Sequence, residues 1–388
     1  MYKKRKKILI ITGSRAEYGL LRRLIFKIKS NKKLHLDIVV TGMHLSKKFG
    51  FTYKDIIRDG FKIRDKVNLD LRSDSIESAI NSINMGTKGF TKVYKKIKPD
   101  IILVVGDRYE IFSAAVAAVF SRIPVAHLHG GELTEGAIDE TLRHSITKMS
   151  HIHFVASKEY KKRVIQLGEN PNRVFNVGGL GVDNIKYLKL LKKNELEKAL
   201  KLNIKKKNIL ITFHPETLSK FKDKTQFNEV LKALKKIKNT NLVFTMPNSD
   251  LGNTIIFKMI KSFVKKNKNS YFFISMGQLR FLSCLKYFDG IIGNSSSGLL
   301  EMPSFKKGTV DIGDRQRGRL KAKSIISVNA KKNDIIRGIN KLYSKKFQNK
   351  LKKTKNPYGD GGASDKIIKV LERLKLNNIL KKKFFSIN

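Results

Sequence analysis

Short apolar runs alternate with longer amphipathic segments along most of this 388-residue chain. In the first half, runs rich in Ile, Leu and Val predict buried strands at 7–12, 36–41, 101–106, 124–129 and 151–157, and a further strand and loop are predicted at 173–181. Apolar residues recur with helical spacing between them, as in the segments 17–29 and 109–121. Strands that alternate with helices predict a parallel, doubly wound sheet with helices on both faces.

The same alternation restarts after a charged segment, 184–207, in which no strand is predicted. Further strands are predicted at 208–214, 241–246, 271–275, 290–295 and 308–313. The chain is therefore predicted to be an α/β protein with two Rossmann-like domains. Because open α/β sheets bind ligands at the carboxyl ends of their strands, we expect the two domains to face a ligand cleft. The predicted parts are an N-terminal domain at 1–185, a linker at 186–207, a C-terminal domain at 208–357 and a glycine loop with a final helix at 358–388.

The charge balance is strongly basic, with 81 Lys and Arg residues against 32 Asp and Glu and a net charge of +49. Such a charge is compatible with binding nucleic acid or an anionic membrane. However, the basic residues are spread along the whole chain, and there is no zinc finger and no interleaving of Arg with aromatic residues. We therefore expect no specific nucleic-acid partner and no membrane partner, but an attraction for anionic small molecules.

The single cysteine, Cys284, excludes a disulfide within the chain and fits a reducing compartment. No apolar run approaches the roughly 18 residues that a membrane-spanning helix needs. The basic N-terminal MYKKRKK is followed by an apolar run too short for a signal peptide. The sequence therefore predicts a cytoplasmic protein.

Polar residues follow the predicted strands of the first half at the edge where a ligand is expected. Arg15 follows the first strand in the turn TGSRAEYG, which is either a helix cap with a surface arginine or an anion site formed by backbone N–H groups and the guanidinium. Asp107 and Arg108 follow the strand 101–106, and Asp107 is either a helix cap or a carboxylate of the cleft.

The stretch HLHGGELTEGAIDETLRHS, at 127–145, combines imidazoles, acids and glycines. If the strand extends to His129, its side chain and that of His127 point to one face. Glu132 and Asp139 are candidate acid–base groups, and Arg143, four residues after Asp139, is predicted to orient it on one helix face. Five histidines lie within 127–153, so a metal site is an alternative, but the recognisable ligand spacings of zinc sites are missing and no metal is predicted.

In the second half, His214 follows a strand and precedes a proline, which is not a good core position. It suits a general acid or a hydrogen-bond donor to an anion, and a structural role is the alternative. The segment GNSSSGLLE places Ser295 and Ser296 between a strand and a helix, where hydroxyls and N–H groups suit a phosphate. Glu301 is expected to face outward and to accept hydrogen bonds from ribose hydroxyls. Arg315 follows a further strand. These positions predict a site for an anion or a nucleotide.

Motifs that span residues 7–372 resemble the hydrolysing UDP-N-acetylglucosamine 2-epimerase family, in its bacterial sialic-acid branch. They are TGSRAEYGLLRRL, VTGMHLS, GDRYE, HLHGGELTEGAIDETLRHSITKMSHIHF, FHPET, GNSSSGLLE, GDRQRGR and NPYGDGGA. The resemblance implies a fold like that of glycosyltransferase B, with the last helix crossing back to the first domain. It also implies a homo-oligomer, either a dimer or a tetramer.

The implied reaction converts UDP-N-acetylglucosamine and water into N-acetylmannosamine and UDP. A base removes the C2 proton while UDP leaves C1, and water then adds to the 2-acetamidoglucal with inversion at C2. The resemblance implies no cofactor and no metal, because neither step is a net redox change. The nearest alternative is the same chemistry on UDP-N,N′-diacetylbacillosamine, and a glycosyltransferase is a more distant one.

By position, the resemblance assigns catalysis to Asp107 and Asp139 and to His214 beside the leaving diphosphate. His129 stands where several relatives carry a catalytic glutamate, so either His129 or Glu132 would complete the proton transfer. Arg143 is placed among the substrate-binding residues. The positions that the resemblance assigns to UDP binding are Arg15, Arg108, Asn248, Ser295, Ser296, Glu301 and Arg315.

Overall fold

The computed structural model describes residues 5–204, 207–216, 223–247 and 252–387. The chain forms two compact units. The first comprises Met1–Glu132, Asp139–Lys186 and Tyr358–Asn388, and the second comprises Leu133–Ile138 and Tyr187–Pro357. The C-terminal segment therefore folds with the first unit, and a six-residue segment after Glu132 folds with the second.

Each unit is built on one parallel sheet. In the first sheet the strands are β1 (Lys6–Thr12), β2 (Leu34–Thr41), β3 (Asp65–Val67), β4 (Ile101–Val105), β5 (Val125–Leu128), β6 (Ile152–Val155) and β7 (Val174–Asn176). In the second they are β8 (Asn208–Thr212), β9 (Asn241–Thr245), β10 (Ser270–Phe273), β11 (Gly290–Gly293), β12 (Gly308–Ile312) and β13 (Ile325–Val328). Their spatial orders are β3-β2-β1-β4-β5-β6-β7 and β10-β9-β8-β11-β12-β13, with every pairing parallel. The prediction of two doubly wound α/β sheets is confirmed.

Helices connect the strands. Those before β8 are α1 (Arg15–Lys29), α2 (Tyr53–Arg58), α3 (Ile76–Ile97), α4 (Tyr109–Phe120), α5 (Asp139–Met149), α6 (Lys158–Gln166), α7 (Leu180–Tyr187) and α8 (Lys193–Leu200). Those after it are α9 (Asp223–Leu234), α10 (Asn253–Lys266), α11 (Gly277–Tyr287), α12 (Ser297–Leu300), α13 (Lys332–Tyr343), α14 (Lys345–Lys352) and α15 (Ala363–Arg373). No helix among the described residues is long and apolar enough to cross a membrane.

Alternation along β1 explains how one strand supports two layers of helices. Ile8 and Ile10 lie in the core that includes residues of α1 and α15, whereas Leu9 and Ile11 lie in the core that includes residues of α3 and α4. All four side chains are fully buried. A strand buried on both faces is apolar at every position, which is why the run KILIIT was readable as a strand.

The strand order reverses between β1 and β4 in the first sheet and between β8 and β11 in the second. Loops that leave neighbouring strands diverge at such a reversal and open a crevice at the carboxyl edge, where doubly wound sheets bind ligands. The fold therefore directs attention to four loops, which follow Thr12, Val105, Thr212 and Gly293.

Two strands were missed by the sequence analysis. β3 has three residues, two of them charged, and β13 carries the sequence IISV at the sheet edge. Edge strands are buried less completely than central ones, so their composition gives a weak pattern. The expectation that His129 extends the strand of His127 is also wrong, since β5 ends at Leu128 and His129 has a φ of +64°.

Candidate active site

The loop after β1 is closed by hydrogen bonds to its own side chains. The Ser14 hydroxyl accepts from the N–H of Glu17 at 3.3 Å and caps α1. The Glu17 carboxyl accepts from the N–H of Gly13 at 2.7 Å. Arg15 is half-buried and occupies the first position of α1. The predicted turn and helix start are therefore present, and Glu17 is an additional residue that fixes them.

A second buried carboxyl, Glu110, underlies this turn. Its Cγ would lie 2.6 Å from a Cβ built on Gly13, so no larger residue fits there without displacing Glu110. Arg108 Nε donates to Glu110 at 2.8 Å, and both side chains are buried. Burial, together with the nearby charge of Glu110, raises the pKa of Glu17 to about 8, although the N–H of Gly13 opposes the shift. This part of the site therefore holds a protonated carboxyl near neutral pH, which the sequence analysis did not predict.

Arg143 forms ion pairs and a hydrogen bond with groups from three parts of the first unit. Its side chain is 2% exposed and forms ion pairs with Asp107, in the loop after β4, and with Glu140 at 3.5 Å. It also donates to the carbonyl oxygen of Glu132 at 3.0 Å. A buried guanidinium requires this density of acceptors, and its planar fork holds them in fixed directions. Arg143 therefore positions Asp107 beside the segment that carries the candidate acid–base groups. The predicted pairing of Arg143 with Asp139 stays a prediction.

His129 and Glu132 form a hydrogen-bonded pair. His129 Nδ1 lies 2.6 Å from Glu132 Oε1, and the N–H of Leu180 donates to His129 Nε2 at 3.4 Å. Because Nε2 accepts, the ring proton of a neutral His129 lies on Nδ1 and is donated to Glu132. The positive φ at His129 and at Gly131 turns the chain back to allow this contact. His129 and Glu132, the two alternative candidates for the proton transfer, therefore form one hydrogen-bonded dyad.

The remaining histidines of this region each have a separate partner. His127 contacts the carbonyl oxygen of Gly106 at 2.7 Å, and burial lowers the pKa of His127 to about 3. His151 accepts from a backbone N–H of β5 at 3.2 Å, and His153 contacts Glu169 at 3.0 Å. Within the described residues, no group of three His, Cys, Asp or Glu side chains is arranged to hold a metal ion. Each of these three histidines is therefore held by a hydrogen-bond partner of its own.

In the second unit, the loops after β8 and β11 are joined through Asn294. Its side chain accepts from the N–H of His214 at 2.7 Å and donates to the His214 carbonyl at 2.8 Å. Gly293, with a φ of +143°, permits the end of β11 to approach the end of β8 closely, because a Cβ there would collide with the Thr212 carbonyl oxygen. The imidazole of His214 is thereby carried at the strand edge on a backbone fixed by a fully buried amide.

The predicted nucleotide-binding positions lie around the same edge. Ser295 and Ser296 are half-buried in the loop that leads into α12, a helix of four residues. Glu301 follows this helix and is buried, 7% exposed, so the expectation that it faces outward is wrong. Arg315 follows β12 and donates to the Asn294 carbonyl at 3.3 Å. Asn248 lies outside the described residues.

The segment Leu133–Ile138 packs within the second unit against the loop that carries Arg315. Arg319 Nε donates to the Leu133 carbonyl at 3.0 Å. A Cβ on Gly136 would lie 3.0 Å from the Cα of Arg315, which is closer than an ordinary van der Waals contact. The sequence analysis predicted catalytic roles for Glu132 and Asp139, which flank this segment in sequence. It did not predict that the segment packs against the loop of Arg315.

The comparisons with known proteins agree with these features. The UDP-N-acetylglucosamine 2-epimerase family model matches residues 26–372. The chain is 43% identical over 369 residues to polysialic acid biosynthesis protein P7 of Escherichia coli, covering 95% of this chain and 94% of that protein. It is 42% identical over 385 residues to the GDP/UDP-N,N′-diacetylbacillosamine 2-epimerase (hydrolyzing) of Campylobacter jejuni, covering 99% and 100%.

A solved structure of UDP-GlcNAc 2-epimerase from Neisseria meningitidis, bound to UDP-GlcNAc, matches with a TM-score of 0.80 at 20% identity, covering 95% of this chain and 100% of that one. At this identity the match supports the two-sheet fold alone. The extent of the family match and the two relatives above 40% identity go further. The chain therefore belongs to the hydrolysing UDP-N-acetylglucosamine 2-epimerase family.

Proposed function

We propose that this protein hydrolyses UDP-N-acetylglucosamine to N-acetylmannosamine and UDP, with inversion at C2. The observation that carries the proposal is the set of groups around Arg143, which holds Asp107 beside the segment of the His129–Glu132 dyad. Proton removal from a weakly acidic carbon needs a positioned base, and buried ion pairs and hydrogen bonds supply that positioning.

In the proposed elimination, a carboxylate of the first unit takes the C2 proton. The C2–H electrons form the C1–C2 double bond, and the C1–O bond breaks with its electrons going to the diphosphate oxygen of UDP. Water then adds across the double bond, with hydroxyl at C1 and a proton at C2 from the opposite face. We assign these proton transfers to Asp107, Asp139 and the dyad of His129 and Glu132.

Loss of UDP places negative charge on the leaving diphosphate. We assign its stabilisation to His214, to the hydroxyls of Ser295 and Ser296 and to Arg315. Cationic groups and hydrogen-bond donors at a developing negative charge lower the barrier to departure of UDP. Glu301 would accept the ribose hydroxyls. Further UDP contacts are proposed for the remaining arginine and amide positions, which are Arg15, Arg108 and Asn248. The homo-oligomer, the cytoplasmic location and the lack of a cofactor stay predictions.

The same chemistry on UDP-N,N′-diacetylbacillosamine is the second candidate. It is favoured by the 42% identity, over nearly the whole of both chains, to the Campylobacter jejuni enzyme that carries this substrate in its name. The two sugars differ at C4 and C6, away from the bonds that react. The reacting groups described above therefore suit both substrates.

The test incubates the purified protein with each UDP-sugar in deuterated water and follows UDP release and the product by proton NMR. We expect UDP release with one of the two sugars and a product that carries one deuteron at C2. Protium retained at C2 would refute elimination. Failure to release UDP from either sugar would refute the hydrolysis itself.

A further inference from the structure

Glu216, in the segment FHPET after β8, occupies a buried position beneath the loop of Arg315. One carboxylate oxygen, Oε1, accepts from the N–H groups of Asp314 at 3.0 Å and of Arg315 at 3.2 Å. The other, Oε2, accepts from Gln226 at 3.1 Å. Glu216 is 5% exposed, so these bonds are largely shielded from water.

The backbone of the loop is shaped to receive this carboxylate. Gly313 has a φ of +74°, and a Cβ built there would collide with Glu216 Oε1. Successive N–H groups that converge on one anion form a concave binding site, and here the anion is a side chain of the protein itself. The carboxylate of Glu216 therefore fixes where Arg315 leaves the sheet.

The opposite side of the same loop is bound to the loop that follows the neighbouring strand β11. Gln316 is fully buried and donates to the Asn294 carbonyl at 2.8 Å, and Arg315 donates to the same oxygen. Asn294 in turn brackets the backbone of His214 with two hydrogen bonds. Glu216 lies two residues after His214, so the contacts form a closed ring through the ends of β8, β11 and β12.

From this ring we infer that Glu216 is a positioning residue, which holds Arg315 and His214 in the geometry that binds the diphosphate of UDP. The inference rests on the proposed function for the identity of the ligand. Glu216 itself acts through the loop and not on the substrate. A carboxylate that receives two backbone N–H groups is a stronger brace than a neutral acceptor, because charge-assisted hydrogen bonds are roughly twice as strong.

The test compares the wild type with Glu216→Ala and Glu216→Gln. In Glu216→Gln the amide oxygen can still accept hydrogen bonds from the two backbone N–H groups, whereas Glu216→Ala removes the acceptor. Glu229→Gln is the matched control, since Glu229 accepts from the N–H of Lys332 at 3.0 Å in the same unit but does not join the ring. Hydrogen–deuterium exchange without ligand is measured on peptides covering 312–319 and 290–296, and UDP affinity is measured by calorimetry.

We expect Glu216→Ala to lose exchange protection in 312–319. We expect it to weaken UDP binding by roughly tenfold to a hundredfold, the size of one lost hydrogen bond to a charged group, because the change reaches UDP only through the loop. Glu216→Gln should show a smaller loss of both, and Glu229→Gln should match the wild type. Unchanged protection in Glu216→Ala overturns the inference, and so does lost protection with unchanged UDP affinity. If the wild type does not bind UDP, the proposed function fails, whereas the bracing role is judged on the exchange data alone.

Discussion

Asp183 joins the C-terminal helix to the rest of the first unit through a single carboxylate. The side chain is fully buried and lies in α7. Its oxygens accept from three consecutive backbone N–H groups at the start of α15, those of Gly362, Ala363 and Ser364. The first N–H groups of a helix have no partner within it, and a negative charge at that end also interacts favourably with the helix dipole.

The change Asp183→Ala would leave these three N–H groups, two of them buried and one partly buried, without their acceptor. Each hydrogen bond to a charged group contributes about 1.5–3 kcal/mol, but the three share one carboxylate and are not additive. We therefore expect the free energy of unfolding to fall by about 3–5 kcal/mol. For a domain of 150–250 residues, at about 2–4 °C per kcal/mol, the melting temperature of the first unit would fall by roughly 6–20 °C.

Urea denaturation and thermal melting followed by circular dichroism measure this effect. The control is Asp365→Ala, in the first turn of the same helix, where the carboxylate is 40% exposed and pairs with Lys27 and Arg23. An exposed ion pair contributes about 0–1 kcal/mol, so the control should melt close to the wild type. A loss below about 1 kcal/mol in Asp183→Ala, or an equal loss in the two variants, would refute the capping role.

Three further predictions concern the loops at the sheet edges. The pKa of Glu17 is raised to about 8 from its usual 4.5, so between those pH values the native state keeps a proton that the unfolded chain releases. Stability of the wild type should therefore decline from pH 4.5 to about 8, and denaturation of Glu17→Gln across that range should show a flatter profile; identical profiles would contradict this. Gly136→Val would place its Cβ 3.0 Å from the Arg315 backbone and should weaken UDP binding by roughly tenfold, as seen by calorimetry; wild-type affinity would argue against the tight contact. Asp107→Asn and His214→Ala should each abolish UDP release while the circular dichroism spectrum is kept, and a wild-type rate in either variant would remove that residue from the mechanism.

The sequence by itself determined the fold class and the places where polar residues leave the sheets. Central parallel strands are buried on both faces, so β1, β4 and β8 appear as unbroken apolar runs that need no tertiary information. The residues after such strands necessarily lie at one edge of the sheet, which is why Asp107 and His214 could be singled out. The family motifs imply the reaction that we propose, and the comparisons confirm the family.

Only the tertiary structure decided which polar groups meet. The pairing of His129 with Glu132 depends on a positive φ that no local pattern required, and the ion pair between Asp107 and Arg143 joins residues 36 positions apart. The bracing of Arg315 by Glu216 spans almost 100 positions. Hydrophobic burial is read from periodicity because it is non-directional, whereas a hydrogen bond or ion pair depends on distance and angle between two distant parts of the chain. The chain pattern therefore predicts where the sheets form, and the packing of their loops selects the partners.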